Sequence, residues 1–234
     1  MPITLTPEER RRFKTHGRKK GFLKAKDAEH LSENLPGLTV KQSANRIELL
    51  KQFEKVSTTT KLWLEIGFGN GEYLAHLAAL NPDDCFIGVD VFQEGVSALL
   101  RRLERQNSSN VRVGVDNANI VLLEKIPFNS LDRVVINFPD PWPKKRHHKR
   151  RLIQSEFLDL LAQRMISGGK ISLATDWAEY SEWMLEHLEV HKEFKNTIAN
   201  GGFAPQPDNW LITSFQKKGQ KAGRPARHLL FDRR

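Results

Sequence analysis

The chain has 234 residues, 39% hydrophobic and 28% charged, with a formal net charge of +9. That length suits one sizeable domain with an extension, and it is enough to bury a proper core. No apolar run is long enough for a membrane helix, the opening MPITLTPEERRRF lacks a secretory apolar segment, and the single Cys85 allows neither an internal disulfide nor cysteine-type metal spacing. The expectation is therefore a cytoplasmic protein without membrane or metal.

The charge is segregated. Three windows, Arg10–Lys26, Lys144–Arg151 and Lys217–Arg234, contain 9, 6 and 7 Lys or Arg and a single acid, Asp232. They carry +21 between them, so the remainder carries −12. An acidic globule with three basic segments favours a nucleic-acid partner. Solvated, idle basic tails are the alternative.

In chain order, residues 1–40 read as a basic N-terminal arm, lightly helical and flexible without a partner, and residues 41–234 as one domain. Thr6-Pro7-Glu8-Glu9 suits a helix start, with Thr6 as cap and Pro7 in the first turn. Lys41–Val56 places Ala44, Ile47, Leu50 and Phe53 at helical spacing. Strands are predicted over 62–66, 85–90, 111–115, 131–138 and 170–175. Helices are predicted over 72–80, 93–106, 155–166 and 179–190, and residues 193–217 read as a closing hairpin. Alternating strands and helices imply an α/β fold, a mostly parallel sheet with helices on both faces.

The first strand runs into Leu64-Glu65-Ile66-Gly67-Phe68-Gly69-Asn70-Gly71-Glu72. Glycines at such a junction let backbone approach a ligand, beside the free N–H groups of a helix start. The dinucleotide fingerprint requires glycine where Glu72 stands, and the Glu72 charge opposes a pyrophosphate. The turn suits a nucleoside ligand without phosphates, or else it is a tight turn with a surface acid. Glu65 can accept a hydrogen bond or pair with a ligand cation. Asp90, ending the second strand, can accept both hydroxyls of a ribose, and Asn117, after the third, has the groups to read an adenine edge. Each is alternatively a solvated cap.

The stretch Asn137–Arg151, NFPDPWPKKRHHKRR, follows the fourth strand. It sets Asp140 and Trp142 among Pro139 and Pro141, ahead of eight consecutive Lys, Arg or His. Asp176-Trp177 repeats the acid and indole after the fifth strand. A carboxylate beside an aromatic ring can accept from guanine N1–H and N2–H while a base stacks. Alternatively both Trp are core and both Asp cap loops. His147 and His148 lack carboxylate or cysteine companions at metal spacing, which favours a phosphate-facing role.

LEIGFGNGEYL, GVD, NFPDPWPKKRHHKRR, ATDW and TSFQKKG resemble the bacterial tRNA (guanine-N7-)-methyltransferases over roughly residues 35–234. The FPDPWPKKRHHKRR segment is highly specific, whereas the glycine turn is common to most S-adenosylmethionine enzymes. The resemblance implies a Rossmann-like methyltransferase fold with an antiparallel last strand. It implies methylation of guanine 46 N7 in the tRNA variable loop, with S-adenosyl-L-methionine as donor and tRNA as partner. The protein would act as a monomer or homodimer.

Carried over by motif, Glu65, Gly67, Gly69, Asp90, Asn117 and Asp140 match cofactor positions, Asp140 having a catalytic role as well. Lys144, Asp176, Thr213, Ser214, Phe215 and Gln216 match substrate-binding positions. Three residues depart from the family pattern: Asp90 stands for the usual Glu, Asn117 for a common Asp, and Gln216 for a common Glu. A non-catalytic RNA-binding protein on the same fold is the competing class. A nicotinamide oxidoreductase is disfavoured by Glu72.

Overall fold

A computed structural model describes residues 3–13, 23–54 and 56–234. Seven strands form one sheet: β1 (Leu62–Ile66), β2 (Cys85–Val89), β3 (Val111–Gly114), β4 (Leu131–Asn137), β5 (Met165–Thr175), β6 (Phe194–Asn196) and β7 (Arg227–Arg233). Their order is β3-β2-β1-β4-β5-β7-β6. Neighbouring strands from β3 to β5 pair parallel, and β7 pairs antiparallel with both β5 and β6. The parallel part is the sheet that the strand–helix alternation implies, and antiparallel β7 makes it the Rossmann-like methyltransferase sheet that the family resemblance implies.

The strands bury both faces, so period 2 sends alternate side chains into two different cores. Leu62, Leu64 and Ile66 of β1 join one cluster with Leu49, Val121, Phe157 and Tyr180, while Trp63 packs into the other with Leu31, Leu74, Phe86 and Leu99. One face is covered by α3 (Arg46–Leu50), α6 (Ala118–Glu124), α7 (Ser155–Arg164) and α8 (Ala178–Val190). The other is covered by α2 (Ala25–Leu38), α4 (Glu72–Leu80) and α5 (Gln93–Gln106). Two further helices, α1 (Pro7–Arg12) and α9 (Ser214–Lys221), contribute to the rim above the sheet's carboxyl edge.

Several elements differ from the sequence reading. Within residues 1–40, α1 has the expected Thr6 cap, reinforced by Glu9 reaching back to Thr6 N (2.8 Å). The 14-residue α2 was not expected; Leu31, Leu35 and Leu38 pack it into the core despite Pro36 and Gly37. Residues 14–22, the centre of the arm expected to be flexible, lie outside the described residues.

The helix expected over 41–56 shrinks to α3. Asn45 caps it, Gln52 folds back onto Lys41 through N (2.8 Å) and O (2.9 Å), and Ile47 stays 69% exposed. The expected hairpin at 193–217 is absent. Its first strand, β6, instead pairs with β7, thirty residues on, and α9 occupies part of the intervening chain. The last basic window is therefore no tail, because β7 buries His228, Leu229 and Phe231 between two partner strands. Finally, β5 begins at Met165 and runs through Gly168-Gly169, where the pairing with β4 slips register. A Cβ on Gly169 would stand 3.1–3.2 Å from the Asp132 and Leu131 carbonyls.

Candidate active site

Strand order reverses at β1, with β2 on one side and β4 on the other. Ligands of open α/β sheets bind at such switch points, outside the carboxyl ends. A cleft of about 950 Å³ opens there, lined by Glu65, Gly67, Gly69, Asp90, Asn117, Asn137, Asp140, Trp142, Thr213, Ser214 and Phe215 among others. That volume suits a nucleoside-sized ligand.

The floor is the turn after β1. Gly67, Gly69 and Gly71 have φ of 75°, 55° and 69°, a region that glycine alone enters cheaply. The turn is braced from behind. Asp90 Oδ2 accepts from Gly69 N (2.8 Å) and Oδ1 from Phe92 N (2.9 Å). Gly95, in the first turn of α5, lies so close to the Gly69 carbonyl that a side chain would collide with it. Asp90 is thus a clamp on the turn, and it also lines the cleft.

Glu65 is 3% exposed, and its Oε2 has no hydrogen-bond partner among the described residues. Burial, and then the nearby Asp90 carboxylate, pushes its pKa up to about 8. Asp90 is also raised, chiefly by burial, against the N–H bonds from Phe92, Gly69 and Val91; Asp140 adds repulsion. Asn137, at the end of β4, has a buried Nδ2 likewise lacking a partner among the described residues. One acceptor and one donor therefore remain to be satisfied in the same cleft. Asn117 caps α6, its Oδ1 accepting from Asn119 N at 2.9 Å.

The opposite wall grows from the carboxyl end of β4. Phe138 N still bonds the Ala174 carbonyl (2.7 Å), continuing the β4–β5 pairing, yet Phe138 has φ 51° and Trp142 φ 44°. Left-handed backbone at an aromatic residue costs about 1–3 kcal/mol and collects at functional sites. The two distorted residues bracket Pro139-Asp140-Pro141, which presents exposed Asp140 at the cleft. Beyond it, Lys145–Arg150 forms a 3-10 helix with no buried residue. Arg150 lies over the Trp142 ring at 5.1 Å, and His147 meets that ring edge-on at 6.0 Å.

The third wall is the start of α9. Thr213 caps it through Gln216 N (3.3 Å), and Phe215 is 57% exposed against Phe138, ring centres 5.4 Å apart. The remaining substrate-binding candidates do not line the cleft. Lys144 is exposed at the cap of the 3-10 helix. Asp176 pairs with Arg224 (2.9 Å) against Gly219 of α9, and Trp177 packs on the core rather than pairing with a ligand surface. Gln216 is buried, its Oε1 accepting from Trp210 Nε1 at 2.7 Å.

Arg12 and Phe13 also line the cleft, a contribution the sequence reading missed. Arg10 pairs with both Asp116 and Glu124, and Ile3 N bonds the Leu123 carbonyl (3.0 Å), which lays α1 over α6. The Thr6–Glu9 capping signature announces α1 but not where it docks. Among the described residues, no three His, Cys, Asp or Glu side chains are grouped to hold a metal.

A family model described as "Putative methyltransferase" matches residues 59–229. A "tRNA (guanine-N(7)-)-methyltransferase" of Magnetococcus marinus is 52% identical over 235 residues, covering 100% of this chain and 93% of that one. The Halorhodospira halophila protein of the same name is 45% identical over 168 residues, covering 72% of this chain and 73% of its own length. Among solved structures, the 16S rRNA methyltransferase KamB overlays with a TM-score of 0.57 at 14% identity, covering 84% of this chain and 99% of that one, a likeness of fold alone. The glycine turn, the distorted PDPW segment and the α9 start thus sit in a chain that shares half its residues with a relative over its whole length; it belongs to the tRNA (guanine-N(7)-)-methyltransferase family.

Proposed function

We propose that the protein methylates N7 of guanine 46 in the variable loop of tRNA, forming 7-methylguanosine, with S-adenosyl-L-methionine as methyl donor, in the cytoplasm. The observation that carries this reading is one cleft with two kinds of wall. A glycine turn with buried Glu65 and half-buried Asp90 forms one, and an exposed carboxylate among aromatic rings and cations forms the other. The relatives' names supply the tRNA and the guanine N7.

The residues fit the donor. Gly67 and Gly69 leave backbone open, with nothing within 4 Å of where a side chain would start, and Glu65 Oε2 and Asn137 Nδ2 need partners. Glu65, Gly67, Gly69, Asp90, Asn117 and Asp140 would hold it. When bound, it supplies an electrophilic methyl group on a sulfonium.

Guanine N7 has an in-plane lone pair and no proton, so its attack needs no general base. The ring gains positive charge as it is methylated. Asp140 would orient the guanine edge and offset that charge, and alignment alone supplies up to about 7–11 kcal/mol of a barrier. In paired RNA, N7 lies in a deep groove closed to side chains, so the base must be splayed out. Phe138, Trp142 and Phe215 offer it aromatic surface. Thr213, Ser214 and Phe215 would contact the substrate at the mouth. Lys144 and the cations of the 3-10 helix, of which Lys149 and Arg150 line the cleft, would hold phosphates around its mouth, with salt-dependent affinity. Asp176 and Gln216 would act on the substrate through the placement of α9.

The test is mass spectrometry of nucleosides after incubating unmodified tRNA with protein and donor. The expected product is 7-methylguanosine at position 46, lost with Asp140→Asn. RNA bound but unmodified would favour the non-catalytic alternative, and normal turnover by Asp140→Asn would remove Asp140 from the chemistry.

A further inference from the structure

Arg151 closes the run of eight basic residues, and in sequence it is one more cation for a polyanion. Its surroundings say otherwise. Its side chain is 0% exposed. Nε donates to the Pro141 carbonyl at 2.9 Å, Nη1 to Glu179 Oε1 at 3.0 Å, and Nη2 to Glu179 Oε2 at 2.5 Å. Nη2 also lies 3.1 Å from His148 Nε2, which must accept, since a guanidinium only donates. The guanidinium stands over Tyr180 and Trp183, at 5.0 and 4.8 Å from the ring centres. Four of its five N–H groups are committed. Although Arg151 borders the cleft, its side chain has no exposed surface on which a phosphate could meet the fifth.

What these contacts fasten is the Pro139–Trp142 turn. Phe138 and Trp142 hold left-handed backbone that persists only where the surroundings over-determine it. Pro141 lies between Asp140 and Trp142, and its carbonyl is fixed by Arg151. The other end of the fork grips Glu179 in the first turn of α8, whose Tyr180 is fully buried. A rigid helix is thereby tied to the residue next to Asp140. Only Arg carries a planar fork that serves a carbonyl and both carboxylate oxygens at once, so lysine is not equivalent here.

We infer that Arg151 is a positioning residue that sets the Pro139–Trp142 turn, and through it Asp140, and that it takes no part in holding nucleic-acid phosphates. The role of Asp140 rests on the function proposed above; the absence of a phosphate contact does not.

The test uses the full chain with Arg151→Lys and Glu179→Ala. Glu179 has 54% of its side chain exposed, so its variant is expected to fold even if Arg151→Lys does not. Both should lower kcat for tRNA methylation at least tenfold. Both should leave the tRNA Kd within about twofold and the slope of log affinity against log salt unchanged. Lys149→Ala, at an exposed position, serves as comparison and should reduce that slope by about one. The inference is overturned if Arg151→Lys flattens the salt slope as Lys149→Ala does, or if Glu179→Ala retains full kcat. Wild-type protein that binds tRNA but never methylates it would sink the proposed function instead, and the salt slopes would still decide whether Arg151 touches phosphate.

Discussion

Glu72 grips Ser214 with both carboxylate oxygens, Oε2 accepting from Ser214 N at 2.7 Å and Oε1 from Ser214 Oγ at 2.7 Å. The two residues are 142 positions apart in sequence. Glu72 opens α4 directly after the glycine turn, and Ser214 opens α9 on the opposite wall. A carboxylate at the N-terminus of α9 also complements the helix dipole. Arg102 braces Glu72 from α5 (3.4 Å) and donates to the Asn70 carbonyl (3.2 Å). The charge that argues against a pyrophosphate in the sequence thus ties the glycine turn to the α9 wall of the cleft.

Removing that tie should separate the two substrates. Charge-assisted hydrogen bonds of this kind contribute about 1.5–3 kcal/mol each. Glu72→Ala should lower kcat/KM for tRNA tenfold or more, because α9 no longer starts where Phe215 meets Phe138. Donor Kd, measured by calorimetry without tRNA, should change less than threefold. Glu72→Gln, which keeps one acceptor, should fall between. Equal losses for donor and tRNA would mean that the pair merely supports α4.

Gly95 offers a sharper probe of the turn. A methyl group there would collide with the Gly69 carbonyl and stand 2.8 Å from the Phe92 ring. Backbone cannot yield as a flexible side chain can, so Gly95→Ala should displace the turn and weaken donor binding at least tenfold. Gly37 in α2 is the control, with nothing within 4 Å of its Cβ position. Gly37→Ala should leave donor affinity unaltered and raise stability by roughly 0.5–1 kcal/mol. Calorimetry and thermal melts on the pair check both expectations.

The contrast between these glycines marks what the sequence could tell. Gly67, Gly69 and Gly71 were legible because strand, turn and helix are neighbours in the chain, Glu65 because it is the one acid inside an apolar strand, and Asp90, Asn117 and Asp140 because each follows such a strand. All four line one cleft. Gly95 looks like any helical glycine until α5 is packed on the turn. Arg151 looks like its seven neighbours until α8 is docked, and Gln216 looks like a ligand until Trp210 is seen to take its oxygen. The resemblance implied an antiparallel last strand, but the position of β7 was hidden for a different reason: its apolar residues, Leu229, Leu230 and Phe231, are only three and are set among cations. What was missed depends on contacts between segments distant in sequence, and local patterns do not encode those.

Arg10 tests whether α1 belongs to the donor site. Its ion pairs with Asp116 and Glu124 fasten α1, and two and three residues later Arg12 and Phe13 line the cleft. Arg10 is 37% exposed on its side chain, so water and salt screen the contact. Arg10→Ala should therefore weaken donor binding only a few-fold at low salt, with the difference shrinking at high salt. Hydrogen exchange in residues 7–12 should quicken in the same variant. Unchanged donor affinity at every salt concentration would place α1 outside the donor site.

Glu65 makes the clearest pH prediction. Its carboxyl is moved from the ordinary 4.5 up to about 8 by burial and then by Asp90. Below about pH 4.5 it is neutral in both folded and unfolded chains. As pH rises toward 8 the unfolded chain ionises while the folded one stays neutral, so the folded state loses stability across that window. The full shift corresponds to an upper bound of roughly 5 kcal/mol. Glu65→Gln should therefore melt higher than wild type at pH 8 and match it near pH 4. Donor binding should run the other way. A cationic ligand beside Glu65 favours the ionised form, so binding releases a proton and wild-type affinity should climb from pH 6 to about 8, then level off. Glu65→Gln should bind weakly with a flatter pH profile. Calorimetry in buffers of different ionisation enthalpy would count the released proton; a wild-type affinity that stays flat from pH 6 to 9 would remove Glu65 from contact with the donor's charge.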